Sequence, residues 1–352
     1  MEFAKLRSAS RYNLATSGMP AYPLKKLVGS IDELEINGPS IYGYAALNEA
    51  IATRYRVSVE SVVHAAGTSM ANYLAMAAVT ENGDEVLIEE PTYELLLSTA
   101  RYLGLKVRRF RRASEDSFAI DLDDLARSIT SSTKLIVVCN LHNPSGAFVD
   151  KATMRAVGEI ARRHGAKVLV DEVYREMMWE QPPHTAFHLD PETFISTNSL
   201  TKAYGLSGLR CGWVLASAEV AERIWKINDL HAATSPHIAE LLSVIALQKL
   251  EQIIAEQREL LTRNRGLLRR FLESRDDLDY FWPEDGTVVF PRWKGGDIAR
   301  LCASLRERFE TTVVPGSYFE MPDRFRIGVG IATAALEASL LQLGKGLGNV
   351  RE

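Results

Sequence analysis

With 352 residues, 46% of them apolar and 24% charged, the chain has the make-up of an ordinary water-soluble globular protein, long enough for one large domain and a smaller one. A net charge of −4 leaves no electrostatic footprint for nucleic acid or for an anionic membrane, and three separated cysteines (Cys139, Cys211 and Cys302) argue against a disulfide framework or a zinc cluster. No stretch reaches the roughly 18 apolar residues of a membrane span, and the N-terminus leads into no signal-peptide core, so a cytoplasmic enzyme without membrane contact is expected.

Residues 1–35, with Asn13-Leu14-Ala15-Thr16-Ser17-Gly18-Met19-Pro20 and further prolines, read as an extended arm. Gly18 could bring bare backbone N–H close to a ligand, or simply make a turn. Apolar spacing from Ala45 to Tyr55 is helical. The run Gly67-Thr68-Ser69 then opens an apolar helix, where free N–H groups suit an anion and where either hydroxyl equally suits an N-cap.

Short apolar runs near 85–88, 106–110, 134–138, 167–170, 193–196 and 212–215 read as strands, separated by helices near 92–103, 121–129 and 150–164. This βαβ alternation predicts an α/β domain with a mostly parallel sheet flanked by helices, its ligand at the carboxyl ends of the strands. Beyond Ala216 the pattern turns to long helices, 219–230 and 236–274, the second linking two domains, and then to a smaller α+β part. Strands are expected there around 287–290, 311–314 and 325–328, with helices near 297–308 and 332–343. Gly328 and Gly330 lack the third glycine and following helix of a dinucleotide fingerprint. The implied organisation is an arm (1–35), a large domain (36–235) and a small C-terminal domain (236–352), the arm forming part of the small one.

Residues able to do chemistry fall just after the strands. Glu89-Glu90-Pro91-Thr92-Tyr93 offers an aromatic on which a flat ligand could stack. The run Asn140-Leu141-His142-Asn143-Pro144-Ser145-Gly146 makes a turn carrying Asn143. Asp171 closes an apolar strand, and a carboxylate so placed needs a cation or strong donors, because burying it unpaired costs several kcal/mol. Tyr174 follows three residues later. Ser199-Leu200-Thr201-Lys202, with Arg210 eight residues beyond the lysine, can hold an aldehyde and an anion together: an amine attacks a carbonyl when neutral, and a guanidinium forks onto phosphate oxygens. A planar pyridine aldehyde bearing a phosphate, pyridoxal 5'-phosphate, fits the whole set.

In this combination and order the motifs resemble those of the class I/II aminotransferase family of fold-type I pyridoxal-phosphate enzymes, over nearly the whole chain. The resemblance implies that Lys202 holds the cofactor as a Schiff base, that Asp171 faces the pyridine nitrogen, and that Asn143 and Tyr174 contact the ring hydroxyl. It further implies that Tyr93 stacks on the ring, that Thr68, Ser69, Ser199 and Arg210 hold the phosphate, with Thr201 beside them, and that Arg326 clamps the substrate α-carboxylate with help from Gly18 and Asn143. Arg324 is two residues away on the same strand, and Arg326 is favoured because Ile-Gly follows it. Amino acids and 2-keto acids are the implied substrates, and a homodimer is the implied assembly, with Tyr42 or Tyr44, and Thr234 or Ser235, reaching toward the partner. β-Elimination, decarboxylation and a cofactor-sensing regulatory domain are the competing readings; the last would need a DNA-binding arm, of which the N-terminus shows no sign.

Overall fold

The computed structural model describes residues 10–40, 43–180, 183–231 and 234–349. The arm enters as a two-residue strand, β1 (Tyr12–Asn13), followed by a single helical turn, α1 (Leu24–Leu27). After helix α2 (Ala45–Tyr55) come the seven strands of the main sheet: β2 (Val62–Ala66), β3 (Glu85–Glu90), β4 (Lys106–Arg111), β5 (Thr133–Cys139), β6 (Lys167–Asp171), β7 (Phe194–Ser199) and β8 (Cys211–Leu215). Their spatial order is β2-β8-β7-β6-β5-β3-β4, and β8 alone runs antiparallel to its neighbours. The sequence pattern did not single out β2, a five-residue strand with a buried histidine in its middle and no alternation to mark it.

Successive side chains of a strand point to opposite faces, and here both faces are covered. Leu135 and Val137 pack with α3 (Thr68–Val79), α4 (Glu94–Tyr102) and α7 (Ala218–His231), whereas Ile136 and Val138 pack with α5 (Leu122–Ser128) and α6 (Lys151–Arg163). Asp121 and Asp150 cap α5 and α6 by accepting from first-turn N–H groups.

The helix expected over 236–274 is instead two, α8 (His237–Gln248) and α9 (Leu250–Glu273). Its apolar periodicity runs through the break without glycine or proline. The chain leaves helical geometry at Lys249, whose ammonium donates to the Leu27 carbonyl at the end of α1 (2.8 Å), a tertiary contact that no local pattern announces.

The remaining strands are short. β9 (Leu278–Asp279) pairs with β11 (Arg292–Trp293), and β14 (Phe325–Gly328) lies between β10 (Val288–Val289) and β13 (Val314–Pro315). The strand expected over 311–314 splits around Val313. Its first half, β12 (Thr311–Thr312), pairs in parallel with β1, and its second half joins β14. Helices α10 (Ile298–Phe309) and α11 (Thr333–Asn349) pack beside them. The arm therefore lies on the C-terminal part of the chain. Gly328 N–H donates to the Leu14 carbonyl (2.7 Å), and a Cβ at Gly328 or Gly330 would overlap the carbonyl oxygen of Thr16 or Gly18. Those two glycines serve close backbone approach. Among the described residues, no helix is long and apolar enough to cross a membrane, and no group of three or more His, Cys, Asp and Glu side chains could hold a metal ion.

Candidate active site

The carboxyl ends of the parallel strands open into a cavity of about 400 Å³. Thr68 and Ser69 follow β2, Tyr93 follows β3, Asn143 follows β5, Asp171 ends β6 with Tyr174 just beyond, and Ser199 ends β7 with Thr201 and Lys202 beyond; all line this cavity. Arg210 reaches the same rim from the amino end of β8, because that strand is reversed. Arg326 enters from β14, at the middle of the small sheet.

Cys139 and Asp171, which end β5 and β6, and Thr197, two residues before the end of β7, stand side by side in register. Asp171 is buried, and burial raises its carboxyl from the usual range to about 6, against opposing hydrogen bonds from Asn72 and the Val173 N–H and the charge of Lys202. Asn72 Nδ2 donates to Asp171 Oδ2 (2.8 Å) while Asn72 Oδ1 accepts from Thr197 Oγ1 (2.5 Å), so one amide fixes the carboxylate to the neighbouring strand. A carboxylate held this way, buried and still short of a cation, suits a protonated ring nitrogen.

Lys202 Nζ donates to Ser17 Oγ (2.9 Å) and lies 6.0 Å from the centroid of the Tyr174 ring. The arm holds the backbone here too, since Met19 N–H donates to the Lys202 carbonyl (2.7 Å). Arg210 is oriented by the carbonyls of Ala66 (3.0 Å) and Ser207 (3.1 Å), and Ser199 Oγ accepts from Thr201 N–H (3.2 Å). Helix α3 begins at Thr68 after Gly67 with no side-chain cap, and Thr68 Oγ1 is buried without a hydrogen-bond partner. A phosphate beside Arg210 and this helix start would meet that orphaned hydroxyl, so the residues present fit the cofactor.

Asn143 Oδ1 accepts from Arg326 Nη1 (2.8 Å), and Arg326 Nη2 donates to the Ala15 carbonyl (3.2 Å). Arg326 is buried, which pulls its guanidinium below its ordinary range, and its Nε has no partner. An entering carboxylate would supply the missing charge and acceptor. Arg324 points elsewhere, to the Phe290 carbonyl (3.1 Å) and the rings of Phe118 and Phe290, and it does not line the cavity. Burial, with Tyr174 and Asp171 nearby, raises the Tyr93 phenol well above its ordinary value, so Tyr93 stays neutral.

Gly18 departs from expectation: it is not part of the cavity lining. It packs against Lys202, where a Cβ would come 3.2 Å from Lys202 Cδ, and the lining positions are its neighbours Ala15, Thr16 and Ser17. Sequence reasoning also passed over Ser17, Asn72 and Thr197. Asn72 carried a usable signal: it follows Thr68 by one helical turn, the lone buried amide on an apolar face. Tyr42 lies outside the described residues. Tyr44 sets its ring edge-on to His237 of its own chain (4.9 Å), and Thr234 is exposed.

A mostly parallel sheet with Lys202, Arg210, the Thr68–Ser69 helix start and the buried Asp171 on one rim matches the arrangement that the resemblance to fold-type I pyridoxal-phosphate enzymes implied. The sequence model of aminotransferase class I and II matches residues 31–340, so the chain belongs to that family, whose members use pyridoxal 5'-phosphate to move an amino group between an amino acid and a 2-keto acid. The chain is similar to capreomycidine synthase of Streptomyces vinaceus (33% identity, covering 89% of this chain and 81% of that one). It is also similar to the arginine–pyruvate transaminase AruH of Pseudomonas aeruginosa (26%, 94% and 88%). Among solved structures, a pyridoxal-phosphate-dependent aminotransferase of Streptococcus suis superposes with a TM-score of 0.93 at 26% identity, over 99% of this chain and 96% of that one.

Proposed function

We propose that this aminotransferase works through Lys202, Asp171 and Arg326, and the observation that carries the reading is their meeting in one cavity from three separate elements. Thr68, Ser69, Ser199, Thr201 and Arg210 would hold the cofactor phosphate, Tyr93 would lie against the ring, and Lys202 would be the amine that holds the aldehyde carbon. Asp171 balances the charge on the ring nitrogen. Asn143 spends its carbonyl on Arg326, which leaves its amide to donate, with the Tyr174 hydroxyl, to the ring oxygen. Pyridoxal phosphate, when bound, supplies an electron-withdrawing ring that stabilises the charge left at Cα as its proton departs.

Arg326 anchors the substrate α-carboxylate, and that anchor fixes which bond at Cα faces Lys202. Lys202 Nζ then serves as the base for the Cα proton, with Ser17 Oγ steadying the amine. The arm and the residues from 236 onward form a smaller domain against the larger one, and the working form is a cytoplasmic homodimer.

The test is product identification. Protein reconstituted with the cofactor is given a panel of L-amino acids with 2-oxoglutarate. The reading requires a keto acid in step with amino acid loss and with glutamate formed. Ammonia with pyruvate, an amine, or a ring-closed amino acid as the product would displace it.

A further inference from the structure

Arg326 is placed by more than its hydrogen bonds. Its guanidinium carbon lies 5.1 Å from the centroid of the Phe319 ring, so the face of that ring bounds one side of the position in which the guanidinium meets the cavity. Phe319 is buried and meets the Phe290 ring edge-on (5.6 Å). It closes the tight turn Gly316–Phe319 between β13 and β14. Met321 N–H donates to the Gly316 carbonyl (3.0 Å) and Gly316 N–H to the Arg324 carbonyl (2.7 Å), so the turn moves as one piece with the base of β14.

The next residue, Glu320, ties this turn to the main sheet. Its two carboxylate oxygens accept from Arg109 Nη1 (2.6 Å) and Nη2 (2.7 Å). Arg109 stands on β4, the strand at the edge of the sheet, and is itself anchored on β3: Nε donates to the Ile88 carbonyl (3.2 Å) and Nη2 to the Glu89 carbonyl (2.7 Å). Glu89 leads through Glu90 and Pro91 toward Tyr93. One guanidinium therefore joins the strand end that precedes Tyr93 to the turn that carries Phe319. The two side chains are 20% and 34% exposed, and the fork matches both carboxylate oxygens, which separates this pair from the solvated ones on the helix surfaces.

We propose that Arg109 and Glu320 are positioning residues for substrate binding: the pair seats the 316–320 turn on the main sheet, and the turn, through the Phe319 ring, sets where the Arg326 guanidinium waits for the substrate carboxylate. This rests on the role given to Arg326 above and adds what holds it in place. Neither Arg109 nor Glu320 lines the cavity, so both act on the substrate through Phe319 and Arg326. A displacement of the turn shifts the guanidinium relative to Lys202, and a misplaced anchor weakens binding before it touches the chemistry.

Holoenzyme is mixed rapidly with L-glutamate, which transfer to 2-oxoglutarate obliges it to accept in the reverse direction, and the cofactor absorbance is followed over a series of concentrations. That series separates the dissociation constant from the rate at saturation. Glu320→Gln should raise the dissociation constant about 3- to 30-fold and leave the saturating rate within about twofold, as expected when a two-pronged ion pair that only places the site is lost. In an Arg326→Gln background the same change should add less than about twofold, because the group it steers is gone. Arg109→Gln combined with Glu320→Gln should bind no worse than Arg109→Gln alone. Melting temperature and cofactor affinity are measured on each variant. If Glu320→Gln does not fold, Arg109→Lys, which keeps the charge and loses the fork, is read in its place with the same rise expected. An unmoved dissociation constant in the folded variant, or a loss in Glu320→Gln that adds in full to that of Arg326→Gln, overturns the proposal and leaves the carboxylate role of Arg326 standing. Wild-type holoenzyme whose absorbance L-glutamate does not perturb overturns the transfer reading and this one with it.

Discussion

The end of the cavity that we assign to the cofactor is built at one rim of the main sheet, from residues that end or follow β2, β3, β5, β6 and β7 and from Arg210, which precedes the reversed β8, so its side chains are placed by the strands of one sheet. The end that we assign to the substrate is assembled from the arm near residues 13–17, strand β14 and the turn at 316–319, segments about 300 residues apart in the chain. The first end depends on the sheet, and the second on how the two ends of the chain clasp each other. The difference predicts two kinds of damage. Changes at the sheet rim should remove chemistry or cofactor, and changes at the clasp should weaken substrate binding while chemistry persists.

The largest effect is expected at Lys202. Lys202→Ala should lower keto acid formation by roughly 10³-fold or more, since both the covalent hold and the proton carrier are lost. Substantial turnover would break the assignment of chemistry to the rim. Next is Asp171. In cofactor-free protein its carboxyl is raised to about 6, so the carboxylate is present above about pH 6 and is lost below it. Cofactor affinity, followed by fluorescence titration, should therefore fall as pH drops through about 6. Asp171→Asn should remove that step and bind roughly 10- to 100-fold more weakly above it.

On the clasp side, Arg326→Gln should raise the amino acid KM by about 10- to 100-fold, with a smaller effect on cofactor affinity. Equal losses in both would mean that the two ends are not separable. The smallest effect is expected at Gly328→Ala, where a methyl would press on the Thr16 carbonyl. About 1–3 kcal/mol of stability should be lost as the arm lifts, together with a several-fold rise in KM, read by thermal melting and steady-state kinetics.

The same contrast explains how much could be read without coordinates. The grouping was legible because polar residues fall after apolar strands: Asp171 closing such a strand needed a cation or strong donors, whereas Lys202, Asn143 and the Thr68–Ser69 pair each had an ordinary structural reading and pointed to a ligand only in combination. Arg326 was found through likeness to a family motif, with the Ile-Gly that follows it setting it apart from Arg324. The clasp was not legible. Ser17 reaches Lys202, and Gly328 receives the Leu14 and Thr16 backbone, through contacts that depend on tertiary approach. The break at Lys249 was hidden as well, since no glycine or proline marks it and the contact of Lys249 with the Leu27 carbonyl is tertiary.

The reversed strand β8 has a consequence for assembly. Arg210 is aimed by the Ala66 carbonyl, 144 positions away along the chain, so the seat that we propose for the phosphate is a joint between an early and a late segment. A partly formed sheet has no such seat. Pyridoxal phosphate therefore favours the completed edge by mass action, by about 2.7 kcal/mol when it is present at a hundred times its dissociation constant. On this reading, cofactor supply and the integrity of that border of the protein are bound together.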